Sequence, residues 1–380
     1  MQSKQRVINA MRRQAVDKVP YGEFAVDFDT VEKILGRETF YRAKAKTQIA
    51  LWQGRREEIA QSLKSDIIEL YEKLDCMDII NLAASAGGQL PPKDYDPNPP
   101  KQLDDRTWED DQGRVYKYSD KTADITIVHD PAQWEREFTP EQYMVDPAFY
   151  SGDYSEFEVV DHVIAHFQDS RFLISPSGED IGLLLLGGFE RGLIEYIENP
   201  EVVQAASEYR LKEENLNDDI RIRKGCDAVM LQNDYSFNRG CLISPALFRQ
   251  IGLPIMSKRI EHIKETHGLF CIKHACGNNT QLLNDFANMG IDCYQAVQAT
   301  AGMDIVEVHK QYCDSFSVWG GVSVESLVSG TADDVAGQVR HVMQSLRDKP
   351  GFILGSSHSI AVGTKYENFM RMLDELERWR

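Results

Sequence analysis

A short apolar or β-branched run, a polar loop and a longer helix-like stretch recur as a unit along the second half of this chain, and few folds accommodate that rhythm. The runs fall at residues 172–175 or 181–186, 228–231, 269–273, 293–296, 316–319 and 352–354. Such alternation predicts a parallel sheet, either doubly wound or closed on itself. Two earlier runs, at 19–24 and 78–82, bring the total to eight and favour a TIM-type (β/α)8 barrel of the α/β class. A chain of 380 residues exceeds an average domain yet suits one large barrel, and 42% apolar with 27% charged residues is the balance of a chain that buries a core. A single domain over residues 1–380 is expected.

The first half is less regular. Residues 7–16 read as a short amphipathic helix, and helical periodicity runs from 30 to 74. Five prolines between Pro91 and Pro100 exclude a continuous helix there. Residues 107–118 have the pattern of a hairpin turning at Asp110-Asp111-Gln112-Gly113, and 124–128 is β-prone. Residues from about 90 to 150 are thus expected to be a β-containing insertion.

Charge narrows the partners. Sixty acidic against 42 basic side chains give a net charge of −18, which repels nucleic acid and anionic lipid. The longest aliphatic stretch, 181–186, is broken by Gly182 and is too short to span a bilayer, and the opening residues contain no apolar signal core. The expectation is a soluble, cytoplasmic protein with no membrane partner. Seven cysteines, an odd number without a CxxC pair, suit reduced thiols, mostly buried, with one as a candidate metal ligand. The oligomeric state stays open, a homodimer included.

In a barrel of this kind chemistry collects where strands end, and the residues following the runs are polar almost throughout: Glu23, Asn81, Gln232-Asn233-Asp234, His274-Ala275-Cys276, Gln298 and Ser356-Ser357-His358. Positions i and i+2 of a strand face the same way, so His274 and Cys276 can converge on one ion. Zinc is the natural partner of mixed nitrogen and sulfur ligands; the alternative is a buried cysteine beside a hydrogen-bonded histidine. His358 follows the last run and supplies a third ligand, leaving a fourth position open as in a catalytic site. Asp234 reads equally as a general base or substrate anchor and as a cap for the helix after Ser244-Pro245. Glu23 reads as a fourth ligand or an acid, or as the partner of an arginine. Phe24, Tyr235, Phe237 and Trp319 are candidate aromatic walls of a substrate pocket, with Asn233 and Gln298 as polar contacts, although each aromatic also suits the core.

Several motifs in sequence carry a resemblance. KHACGN, QAVQ with Ala301-Gly302-Met303-Asp304, VWGGVS and GFILGSSHSI, together with LQNDY and LISPALF and the opening RVINAMRRQAVDKVP, resemble the uroporphyrinogen decarboxylase superfamily over most of the chain outside the insertion. The resemblance implies a (β/α)8 barrel. The decarboxylases themselves carry an arginine-rich RQAGRYLPE loop after the first strand, where this chain has VPYGEFAVDFD, so acidic residues stand where cations would grip a polycarboxylate. The resemblance therefore points to the superfamily's corrinoid (cobalamin)-dependent methyltransferases, which hold zinc through an HxC pair and a third ligand near the last strand. His274 and Cys276 match that pair, and His358 stands where a cysteine is usual. Fewer thiolates leave more positive charge on the metal, which suits a leaving oxygen. The implied activity is transfer of a methyl group from a small methoxylated, aromatic donor to cobalt(I), with Glu23 or Asp234 assisting the departing oxygen. No DxHxxG corrinoid motif occurs, so the cobalamin would arrive on a partner corrinoid protein. The alternatives are a methylcobamide:thiol methyltransferase and a decarboxylase-like lyase.

Overall fold

The computed structural model describes residues 1–85, 87–150 and 152–380. Its strands, in chain order, are β1 (Ile79–Asn81), β2–β5 in the insertion (Lys101–Asp104, Thr107–Glu109, Val115–Ser119 and Asp124–His129), β6 (Phe172–Ser175), β7 (Ala228–Gln232), a short pair β8 (Ser236–Phe237) and β9 (Gly240–Cys241), β10 (Phe270–His274), β11 (Cys293–Gln295), β12 (Ser317–Val322) and β13 (Phe352–Ser356). Seven of these pair in the order β1-β6-β7-β10-β11-β12-β13, parallel throughout.

The eighth stave is the segment around Tyr21, which bridges Leu354 in parallel and closes the sheet between β13 and β1. Leu354 N–H donates to Pro20 O (2.9 Å), Gly22 N–H to Leu354 O (3.1 Å) and Asp78 N–H to Tyr21 O (2.7 Å). It is a bridge rather than the full strand expected over 19–24. Pro20 has no N–H to give, and a Cβ on Gly22 would stand 2.7 Å from Cβ of Ile79, so only a bare backbone passes there. The architecture is the (β/α)8 barrel that the rhythm of the sequence predicts.

Carboxylates sit at alternate joints of the lower rim. Asp78, Asp227 and Asp292 each immediately precede a strand, and each accepts a backbone N–H from the neighbouring stave: Tyr21 (2.9 Å), Leu173 (3.0 Å) and Cys271 (2.8 Å). Each also meets a cation: Arg6 and Arg380 at Asp78, Lys4 at Asp227 (2.8 Å), Lys264 at Asp292 (2.8 Å). Arg6 and Lys4 belong to the helix Ser3–Met11, which plugs this end; Ser317 donates to Ala10 O (2.7 Å) from the other side.

Two apolar layers result. The inner one fills the barrel with Ile79, Ile174, Met230, Ile272, Trp319 and Ile353, together with Met11 of the plug; the larger outer one joins strands to helices. The continuous helical stretch expected over 30–74 is three helices, Phe28–Leu35, Lys44–Trp52 and Arg56–Lys73, because Gly36 at φ 75° caps the first in the left-handed region and Gly54 follows the second. The insertion forms an antiparallel sheet β2-β3-β4-β5, with the hairpin where Asp110–Gly113 predicts it; Trp108 attaches it to Trp52 (5.5 Å between rings). Among the described residues no helix is long and apolar enough to cross a membrane, and all seven cysteines are free.

Because Asp78 is almost fully buried between two buried guanidinium groups, Asp78→Ala should leave Arg6 to Asp17 and Arg380 to Glu377, strip the Tyr21 N–H of its acceptor, and lower the unfolding free energy by about 3 kcal/mol. Denaturant titration checks this, and Asp227→Ala, at a more exposed joint, should cost clearly less.

Candidate metal centre

At the upper rim, β10 ends on His274, whose register partners are Gln232 on β7 and Gln295 on β11. Cys276 follows in the loop, and Gly277 (φ 82°) turns the chain against β8, where a Cβ would lie 2.4 Å from Ser236 O. His358 arrives from beyond β13. Ligand atoms of His274, Cys276 and His358 all lie within 4.8 Å of one another. Cys276 Sγ and His274 Nε2 stand 3.6 Å apart. With metal–nitrogen and metal–sulfur bonds of about 2.05 and 2.3 Å, a tetrahedral edge between them measures about 3.6 Å.

Hydrogen bonds aim the two imidazoles. His274 Nδ1–H donates to Gln295 Oε1, and the same amide donates to Ser356 O (3.5 Å), which fixes its orientation. Ser359 Oγ donates to Asp27 (3.3 Å), so it accepts from His358 Nδ1–H (3.1 Å), and Arg42 holds Asp27 in turn (2.8 Å). Both rings therefore present the Nε2 lone pair. Phe24 lies over them, its ring 4.4 Å from that of His274 and 5.6 Å from that of His358. Burial, then the charge of the neighbouring His358, pushes His274 down to about 4, so it is a neutral ligand at pH 7. Burial, reinforced by the Asp234 carboxylate, pushes the Cys276 thiol up to about 12. A cation is what would make it a thiolate.

The other expected residues divide. Asp234 accepts the Cys276 N–H (2.7 Å) and does not cap the following helix, which Ser244 caps through its own hydroxyl. Gln298 accepts the Gly277 N–H (2.7 Å), and Phe237, 51% exposed, stands on the rim beside the same loop. Asn233 is tied to Leu183 O (2.9 Å). Tyr235 and Trp319 are core rather than walls: Tyr235 donates to Asp180 (2.6 Å) beneath the rim, and Trp319 donates to Gly22 O (2.9 Å) inside the barrel. Glu23 is buried, lies outside the trio, and accepts from Ser356 N–H (2.9 Å) and the Ser356 hydroxyl. Burial outweighs those bonds and raises it to about 7.

Sequence reasoning passed over three features. Gln295 orients His274, and its place at the end of the 293–296 run was the available signal. Lys273, fully buried, pairs with Asp180 (2.6 Å) and donates to Asn233 O (2.6 Å) and His274 O (2.9 Å), tying the β10 terminus to two loops. A polar cavity of about 330 Å³ opens beside Gln232, lined also by Met230, Gly178, Glu179, Arg210 and Arg221.

These motifs fall in a stretch with known relatives: the uroporphyrinogen decarboxylase (URO-D) family matches residues 189–379, just over half of the chain, and the protein belongs to that family. The match takes in LQNDY through GFILGSSHSI and stops short of the opening segment. A methyltransferase from Methanosarcina mazei has the same fold, with a TM-score of 0.62 at 15% identity over 100% of this chain and 99% of that one. No curated protein sequence matches the chain.

Metal uptake by a thiol held near 12 must expel its proton. Between pH 5 and 8, with His274 already neutral, affinity should therefore climb about tenfold per pH unit. Competition with a chromophoric chelator measures this, and Gln295→Leu should weaken binding about 10–100-fold at every pH.

Proposed function

We propose that the protein is the demethylating component of a corrinoid methyltransferase system, moving a methyl group from a methoxylated aromatic donor to the cobalt(I) of a separate corrinoid protein. The observation that carries the reading is the trio at the rim: two imidazoles and a single sulfur whose ligand atoms lie within 4.8 Å of one another, with the His274–Cys276 edge at the 3.6 Å a tetrahedral site needs. His274, Cys276 and His358 would hold zinc, which supplies positive charge beside an oxygen about to leave. With one thiolate among three ligands, much of that charge remains available to oxygen. The methyltransferase fold neighbour and the family membership accord with this reading.

The chain's own residues would do the rest. The cavity beside Gln232 would receive the donor, because Gln232 is paired in register with His274. Its polar lining favours a methoxyphenol over a bare methoxybenzene. Phe24 shields the imidazoles from water and offers a ring face to the donor. Breaking the O–CH3 bond leaves the electron pair on oxygen, and a group that titrates near 7 is suited to deliver the proton it then needs. Glu23 is such a group; Asp234, on the open side, instead steadies the Cys276 loop. The exposed Phe237 and the rim around it leave room for a large partner at the mouth.

The test is methyl transfer from methoxyphenols to a cobalt(I) corrinoid protein, followed by the absorbance change at cobalt. Cys276→Ala should abolish both stoichiometric zinc and turnover. The rate should fall as pH rises through 7 and Glu23 loses its proton; Glu23→Gln should remove that limb and slow the reaction about 10²-fold or more. A protein that methylates a thiol from methylcobalamin and leaves every aryl methyl ether untouched would reverse the assigned direction.

A further inference from the structure

A second group of ligating side chains sits at the opposite end of β10. Asp218 lies in the helix Pro200–Arg221; His262 ends the helix Leu253–His262, and His267 ends the π-helical turn Ile263–His267 that follows. Residues five apart on an α-helix diverge by about 140°. The wider i→i+5 turn brings them onto one face instead, and the two imidazoles lie 5.8 Å apart between centroids.

Both Nε2 atoms lie close to one oxygen. His262 Nε2 is 3.5 Å and His267 Nε2 3.9 Å from Asp218 Oδ2, and the three ligand atoms fall within 4.8 Å of one another. A tetrahedral edge between nitrogen and oxygen ligands bound at about 2.05 Å is about 3.4 Å. Both nitrogens are buried from solvent and have no hydrogen-bond partner. Thr266 Oγ lies 3.4 Å from His262 Nδ1. A threonine hydroxyl can accept from Nδ1–H, and in that tautomer the Nε2 lone pair is free to meet an ion beside the carboxylate.

Asp218 is fully buried and gripped by Arg259, which donates 2.7 Å to Oδ1 and also to Oδ2. A carboxylate oxygen has two lone-pair directions, so Oδ2 can accept from Arg259 and still face a metal. The arginine fixes the carboxylate much as Gln295 fixes His274.

We infer that Asp218, His262 and His267 form a second divalent-metal site, of the class that prefers imidazole with one carboxylate, such as zinc or cobalt(II), pinning the helix Pro200–Arg221 to the π-turn that leads into β10. The two histidine side chains are 27% and 13% exposed, so the rings reach the surface while their Nε2 atoms stay buried. Two nitrogen donors exclude a calcium or magnesium preference.

The test uses the full chain, stripped with a chelator, with the upper centre disabled by Cys276→Ala and His274→Ala together. Equilibrium dialysis against buffered zinc should still find one ion per chain, and zinc should raise its thermal unfolding midpoint. Adding His267→Gln, which leaves the Asp218–Arg259 pair intact, should weaken that binding at least about 100-fold, beyond the effect of losing an orienting partner, and abolish the thermal shift. Cobalt(II) in the doubly disabled protein should show visible d–d bands without a thiolate charge-transfer band. No ion in the doubly disabled protein, or equal binding after His267→Gln, would overturn the site. Since its readout excludes Cys276, this result is independent of whether the upper centre binds zinc.

Discussion

Closure of the barrel rests on Asp78. One buried carboxylate receives the backbone N–H of Tyr21 and the guanidinium groups of Arg6 and Arg380, so the incomplete stave, the plug helix and residue 380 meet at a single point. That joint adds to the few backbone bonds of the Tyr21 segment, which contributes a bridge and not a strand. Glu23 and Phe24 follow directly on that segment, and they reach Ser356 and His274 only because the closing stave is held in register. The lower rim thus sets the geometry of the upper one through four residues of backbone.

The trio of His274, Cys276 and His358 shows how such a scaffold positions side chains that could hold a metal. Each ligand is constrained by something that is not itself a ligand: Gln295 for His274, the Ser359–Asp27–Arg42 chain for His358, and Asp234 for the loop of Cys276. Burial keeps the imidazoles neutral and the thiol protonated, so these three side chains leave no charge in the site that would have to be solvated. This preorganisation is electrostatic as well as geometric.

Much of this was legible beforehand, for identifiable reasons. Parallel strands buried on both faces read as short apolar runs, so six of the seven sheet strands are visible within a residue or two of their observed bounds, the run at 172–175 being the strand and its alternative 181–186 a loop, while β12 extends three residues past the expected 316–319. HxC and the His after the last run were visible because strand ends collect polar residues. Gln295 was not, since an amide within an apolar run looks like any other residue until its register partner is known. For Tyr235 and Trp319 the sequence leaves wall and core equally open, because an aromatic near a strand end has no local sign of which it faces; a buried hydrogen-bond acceptor decides for the core. The helical periodicity over 30–74 is divided into three helices at Gly36 and Gly54, whose left-handed conformation outweighs the favourable periodicity around them.

If the trio holds zinc as proposed, the distance in sequence between His358 and the His274–Cys276 pair bears on how the protein is made. The pair leaves the ribosome with β10, while the third ligand emerges only after β11, β12 and β13. A nascent chain lacking its last stave is a two-ligand chelator whose sulfur has not yet been buried, open to any thiophilic ion. Correct loading therefore waits for the sheet to close, and metal selection becomes a property of the finished barrel rather than of the motif.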